Sequence, residues 1–219
     1  MATDTGLIAD IGAINWTNLA AVSASSDTLL TALDSDRTLL SELAERALGN
    51  PQLMPLCEHY EILDKIVLHD DLSGWRLRLH LFLPGYFDRP HNHRWTYRSR
   101  ILHGSYTHTL YGTEDQLDNG DIDVTALRPR MVRTESPGDS YTLHHTVIHS
   151  VTAQPYTTSL IVHGPAVKDR FLVTDRTTGQ AWWQHGAATE SPDEAARKRM
   201  SAAQANTCLA KLTELGVLT

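Results

Sequence analysis

Cysteine is scarce: Cys57 and Cys208 are the only two in 219 residues, and they match no zinc-binding or redox spacing. That excludes a disulfide scaffold and leads us to expect a reducing, cytoplasmic compartment, with neither thiol placed as a nucleophile. Positive charge is also short, with 19 Lys and Arg against 26 Asp and Glu and a formal net charge of −7. A partner held through phosphates is therefore not expected, which leaves no nucleic acid and favours a small molecule. No run approaches about 18 consecutive apolar residues, so no membrane span is expected. The opening stretch "MATDTGLIADIG" is acidic where a signal peptide is basic. Internal repeats, low-complexity tracts and linkers are missing too. What remains, 41% hydrophobic and 21% charged residues, is the composition of a soluble globular chain.

Punctuation along the chain sorts it into three stretches. In "DSDRTLLSELAERALGNP" Asp36 can cap a helix, Leu39, Leu40, Leu43 and Ala47 recur at helical spacing, and Gly49 with Pro51 ends the run. Residues 27–34 read as a shorter helix before it. Near residue 60 the period changes. "YEILDKIVLH" and "WRLRLHLFL" are strand-like and joined by "DDLSG", and turn signals then recur at Pro84-Gly85, 112–121, 136–140, 153–156, 164–165 and 176–179. Such spacing predicts an all-β sandwich or barrel. Ser191, Pro192, Asp193 and Glu194 then open a C-terminal helix with Leu209, Leu212 and Leu215 on one face. The expected plan is a helical extension over 1–58, a β-barrel over 59–184 and a C-terminal helix over 185–219 packed on it, as one domain.

Twelve histidines stand in this chain, and two of them form "PHNHRW". On extended backbone, residues i and i+2 face one way, so His91 and His93 can aim two nitrogens at one point. A third ligand has to come from elsewhere, and "LHHTVIHSV" offers His144, His145 and His149. His144 and His145 are adjacent, so at most one of them faces inward. Gly85, His91, His93, Tyr97 and Gly104 keep the spacing of the first cupin motif, in which the residue at Tyr97 is usually glutamate. Pro137-Gly138-Asp139 with His149 ten residues after the aspartate resembles the second motif. The resemblance covers roughly residues 75–165 and implies a mainly β cupin jelly-roll barrel with helical extensions, holding one metal on His91, His93 and His149.

Without the glutamate the ligand set is three histidines, as in the cysteine-dioxygenase-like cupins. "HNHRWTYRSRILHGSYTHTLY" resembles their first motif, and "GDSYTLHHTVIHSV" followed by "TSLIVHGP" is similar to the second. Tyr97 and His163 occupy the places where animal-type members carry a crosslinked cysteine and tyrosine, so no crosslink is expected. Arg76 or Arg78 stands in for the family's carboxylate-binding arginine, without a firm counterpart. The resemblance implies Fe(II) and O2 chemistry on a small polar, carboxylate-bearing substrate. Three imidazoles suit Zn(II) or another divalent ion on coordination grounds as well.

Strand parity supplies further candidates. In "WRLRLHLFL" the leucine face is expected to be buried, and the face of Arg76, Arg78, His80 and Phe82 lies either in solvent or on the cavity. If on the cavity, Arg78 and His80 bind substrate. Tyr106, His108 and Arg98 are further substrate-binding candidates, and Tyr97 and His163 are the catalytic ones. His59, His69 and His185 read as surface residues, and Trp182 and Trp183 as cover for one end of the barrel. A non-redox isomerase, cyclase or hydrolase and a ligand-binding module without catalysis are the alternatives to an oxygenase. The cupin resemblance implies pairing through sheet edges or swapped terminal strands, which would give a homodimer, with coverage of an edge by the helical extensions as the alternative.

Overall fold

Asn18 opens a long helix by accepting the N–H groups of Ala20 and Ala21 on its side chain, giving α1 over Leu19–Ser35. The computed structural model describes all residues except 1–7, 9, 117–122 and 187–189. The helix predicted over 27–34 is thus the second half of a longer one. Its buried stripe of Val22, Ser26, Leu29, Leu30 and Leu33 includes a serine, which breaks the apolar periodicity at its start. Asp36 caps α2, Arg37–Gly49, as its spacing predicts, by accepting Leu39 N–H at 2.9 Å.

Among the described residues eleven strands follow: β1 Glu58–Tyr60, β2 Leu63–Asp70, β3 Arg76–Phe82, β4 Tyr97–His103, β5 Tyr106–Thr113, β6 Met131–Glu135, β7 Ser140–Leu143, β8 Val147–Ala153, β9 Thr158–His163, β10 Arg170–Asp175 and β11 Gln180–His185. They form an antiparallel jelly roll. One sheet has the order β1-β2-β3-β9-β4-β7, and the other side consists of β6-β5-β8 and the hairpin β10-β11. His91 joins those last two parts, bridging to His149 of β8 and to Val173 of β10.

The C-terminal stretch is two helices rather than one: α3, Pro192–Lys198, and α4, Ala202–Glu214. Ser201 and Gln204 build a second capping box that restarts the helix. Between the two, Arg199 bridges to Glu58 and Met200 N–H donates to the Cys57 carbonyl at 3.0 Å. No helix among the described residues is long and apolar enough to cross a membrane.

The larger sheet is covered on both faces, and this positions the site. Leu77, Leu79 and Leu81 of β3 and Leu160 and Val162 of β9 pack outward in one apolar cluster with Leu30, Leu33, Leu40 and Leu212 of the helices. Burial of each such leucine contributes about 1.5–3 kcal/mol. Alternation along β3 therefore separates an apolar outer core from the barrel interior, and Arg76, Arg78, His80 and Phe82 face that interior. Cys57 and Cys208 are buried and free in the outer core.

Candidate metal centre

The segment carrying His91 and His93 is held as a short extra strand. His91 N–H donates to the His149 carbonyl at 2.9 Å and His149 N–H returns to the His91 carbonyl at 2.8 Å. Between the two histidines, Asn92 points the other way and is fully buried. Its side chain accepts Leu172 N–H at 2.8 Å and donates to Glu114, which is paired with Lys168. Pinning Asn92 on one side turns both imidazoles to the other.

His91, His93 and His149 then meet, with ligand atoms all within 4.8 Å of one another. The His93 and His149 Nε2 atoms are 2.8 Å apart. Two nitrogens bound to one ion at ordinary metal–nitrogen lengths and a right angle stand about 3 Å apart, so the spacing fits a shared cation. His91 donates its Nδ1–H to the Arg89 carbonyl at 2.8 Å, which leaves Nε2 as the atom it can offer a metal. Burial, reinforced by neighbouring imidazoles, holds His93 and His149 well below the usual histidine range, so both are neutral, as ligands must be.

A cavity of about 510 Å³ opens from this cluster. Arg78 and His80 line it, so of the two positions open to the arginine face the structure selects the cavity. Arg78 Nε is buried without a hydrogen-bond partner, and no carboxylate among the described residues pairs with it. Burial, with Arg76 beside it, lowers its pKa to about 10, which leaves it charged at neutral pH. The nearby Glu58 is occupied: against the upward push of burial, Lys65, Arg78 and Lys198 hold it at about 2, and it pairs with Lys65 at 3.1 Å and Lys198 at 3.3 Å.

His163 donates Nδ1–H to the Gly164 carbonyl at 2.9 Å, so its buried, unpartnered Nε2 is a lone pair on the cavity. Trp95 lies stacked between His163, 4.2 Å away, and His93, 4.6 Å away. Tyr97 and Tyr106 also line the cavity, and the Tyr106 and Tyr141 hydroxyls are 2.7 Å apart. Burial raises all three tyrosines, which keeps them neutral donors.

Two predicted substrate contacts are corrected. Arg98 follows the inward-facing Tyr97 on β4 and so points outward, bonding Asp27 of α1 at 2.8 Å and Thr142 at 2.9 Å. His108 shares a face with Tyr106 but lies beneath the clustered histidines rather than on the cavity. It is fully buried, with Nδ1 3.1 Å from Glu135 and Nε2 3.0 Å from His149 Nδ1.

Neither His144 nor His145 lines the cavity; their ring centroids lie 4.0 Å apart with the planes tilted by 41°. His59 bonds Asp64, and His69 stacks on Trp75. His185 is exposed, as expected, and also borders the cavity. Trp182 and Trp183 are 40% and 39% exposed on β11, with Arg89 and Arg170 over their rings.

Sequence reasoning missed Trp95, Tyr141, Lys65 and Asp88, all cavity-lining. Trp95 was findable, since it continues the His91–His93 alternation. Asp88 accepts the Tyr86 hydroxyl at 3.1 Å and the Val151 N–H, and burial pushes its pKa up to about 6 against the pull of His91.

No protein-family model and no curated protein matches the chain. Among solved structures it is similar to KdgF from Halomonas sp., 18% identical over 48% of this chain and 82% of that one, with a TM-score of 0.37. It is similar to an RmlC-like cupin from Shewanella frigidimarina, 17% identical over 52% of this chain and 86% of that one, TM-score 0.39. A third is the salicylate 1,2-dioxygenase of Pseudoaminobacter salicylatoxidans, 14% identical over 56% of this chain and 32% of that one, TM-score 0.39.

Proposed function

We propose that this chain is a mononuclear metal-dependent oxygenase that uses Fe(II), held by His91, His93 and His149, and O2 to oxidise a small, polar, carboxylate-bearing molecule. One observation carries the reading: three imidazoles converge on the wall of a cavity that also holds Arg78, a buried cation whose Nε has no hydrogen-bond partner. Iron(II) on three neutral ligands supplies open positions at which substrate and O2 meet as neighbours.

The chain's own residues do the rest. Arg78 grips a carboxylate through its two-pronged guanidinium and so orients the substrate toward the histidines. His163 takes a proton at Nε2, the atom left bare by its bond to Gly164. Tyr97, neutral and buried, donates its hydroxyl to an oxygen that gains charge. Phe82, Val151 and Ile161 line the same space and exclude water from it.

Anaerobic purification with Fe(II), followed by O2 uptake with a panel of small carboxylates, tests the reading. The expected result is carboxylate-dependent O2 uptake that H93A abolishes. A protein that selects zinc and takes up no O2 with any member of the panel overturns it. His163, as a bare base beside tyrosine donors, supports a second reading: a redox-inert isomerase, cyclase or hydrolase of the same cavity. Turnover with Zn(II) in place of Fe(II) under anaerobic conditions distinguishes the two.

A further inference from the structure

His149 is the innermost of the three clustered histidines, and its second nitrogen is the start of a buried line. His149 Nδ1 lies 3.0 Å from His108 Nε2, and His108 Nδ1 lies 3.1 Å from Glu135 Oε1. The three residues are 3%, 0% and 4% exposed, so no solvent breaks into the line. On its outer side Glu135 meets Arg133, whose Nε is 2.5 Å from the same oxygen and whose side chain is 39% exposed. The β5–β6–β8 register sets the line up: Arg133 stands opposite His108, and His149 opposite Leu110, two residues further along β5 and on the same face.

The protons on this line have one arrangement that leaves His149 free to bind a metal. An ionised Glu135 can only accept, so the His108 proton sits on Nδ1, facing the carboxylate. His108 Nε2 is then a lone pair, and it requires a donor from His149. His149 therefore carries its proton on Nδ1 and turns a bare Nε2 toward His93 and the cluster. Were the His108 proton on Nε2, it would push the His149 proton onto Nε2 and close that atom to a metal. The carboxylate thus decides, two rings away, which nitrogen of His149 is open.

We propose that Glu135, acting through His108, is a positioning residue that fixes the tautomer and donor strength of His149. The inference rests on the reading of His91, His93 and His149 as a metal site. A hydrogen-bonded carboxylate next to a ligating imidazole increases its basicity, and loss of such a partner typically weakens metal binding about 10- to 100-fold. Here the carboxylate works through an intervening imidazole. Glutamine at 135 can present either its oxygen or its amide N–H to His108, so it no longer dictates the proton's place.

The test uses the full chain and Co(II) as the probe, with affinity measured by chelator competition and the ligand field read from the visible spectrum. Wild type is expected to bind one Co(II), H93A none, and E135Q with affinity lower on the order of 10- to 100-fold and an altered spectrum. Nitrogen-15 NMR of the metal-free protein reads the tautomers directly: Nδ1–H on both His108 and His149 in wild type, and a mixture in E135Q. Cobalt bound equally by wild type and E135Q, with unchanged spectrum and tautomers, overturns the inference and leaves the metal site standing. A wild type that takes up no cobalt overturns the metal reading and the inference with it. Should E135Q fail to fold, His108 found as Nε2–H in wild type is by itself enough to overturn the proposal.

Discussion

His91 and His149 exchange both of their backbone hydrogen bonds, at 2.9 and 2.8 Å, so two clustered imidazoles rise from one antiparallel rung. The rung is made by main chain alone and exists whether or not an ion is bound, which predicts a preformed site. A divalent ion at a hundred times its dissociation constant then adds about 2.7 kcal/mol to stability by mass action, several degrees in melting temperature. Thermal melts with Co(II) or Zn(II) check this. H93A is expected to melt close to the metal-free wild type and to gain nothing from the ion; an equal gain in both proteins would place binding elsewhere.

Arg78 has a different energetic profile from the histidines, because its charge is buried with Nε unpartnered, and Glu58, committed to Lys65 and Lys198, answers it only through space. Substitution by a hydrophobic side chain of similar length removes a desolvation penalty and no ion pair. R78M is expected to raise the denaturant midpoint, by an amount on the order of 1 kcal/mol, while carboxylate-dependent activity is lost. An ordinary structural arginine would behave in the opposite way, with stability falling and activity following it.

Much of the site was legible because its geometry is local. The i, i+2 spacing of His91 and His93 and the Pro137-Gly138-Asp139 turn before His149 are read directly from residue order, as is the Asp36 cap. Arg98 could have been placed by the same rule, since the neighbour of an inward Tyr97 must face out. The position of Arg78 could not. Whether an alternating strand separates core from solvent or core from cavity depends on what covers its outer face, and here α1, α2 and α4 cover it. Depth was equally hidden: Tyr106 and His108 share a face, yet one reaches the cavity and the other lies under a ligand.

Two glycines of the first motif are expected to respond differently to alanine. Both have positive φ, +88° at Gly85 and +70° at Gly104. A methyl group at Gly85 meets nothing within 4 Å, so G85A carries only the backbone cost, about 1 kcal/mol. At Gly104 it would lie 2.8 Å from Thr157 Cα and 2.6 Å from Thr157 Oγ1, the hydroxyl that accepts Ser105 N–H and has the Ser105 and Gln154 carbonyls within reach of its one proton. G104A is therefore expected to lose at least 2 to 3 times as much stability, about 3 kcal/mol, in urea unfolding. Equal losses would mean the turn at 156–157 moves aside freely.

Asp88 gives the metal-free protein a pH dependence opposite to that of most carboxylates. Burial raises its pKa to about 6 from the ordinary 3.8, so between those values the folded chain holds a proton that the unfolded chain has released. Stability from this group is complete below about pH 4 and falls as pH rises through 6, at most on the order of 3 kcal/mol. Asparagine keeps the oxygen that accepts Val151 N–H and can donate to the Tyr86 hydroxyl, so D88N preserves the local bonds while removing the titration. Urea midpoints of the metal-free proteins are expected to coincide near pH 4 and to favour D88N by pH 7.5. A wild type that is the more stable of the two at pH 7.5 would show that the ionised carboxylate is held by a partner that outweighs its burial.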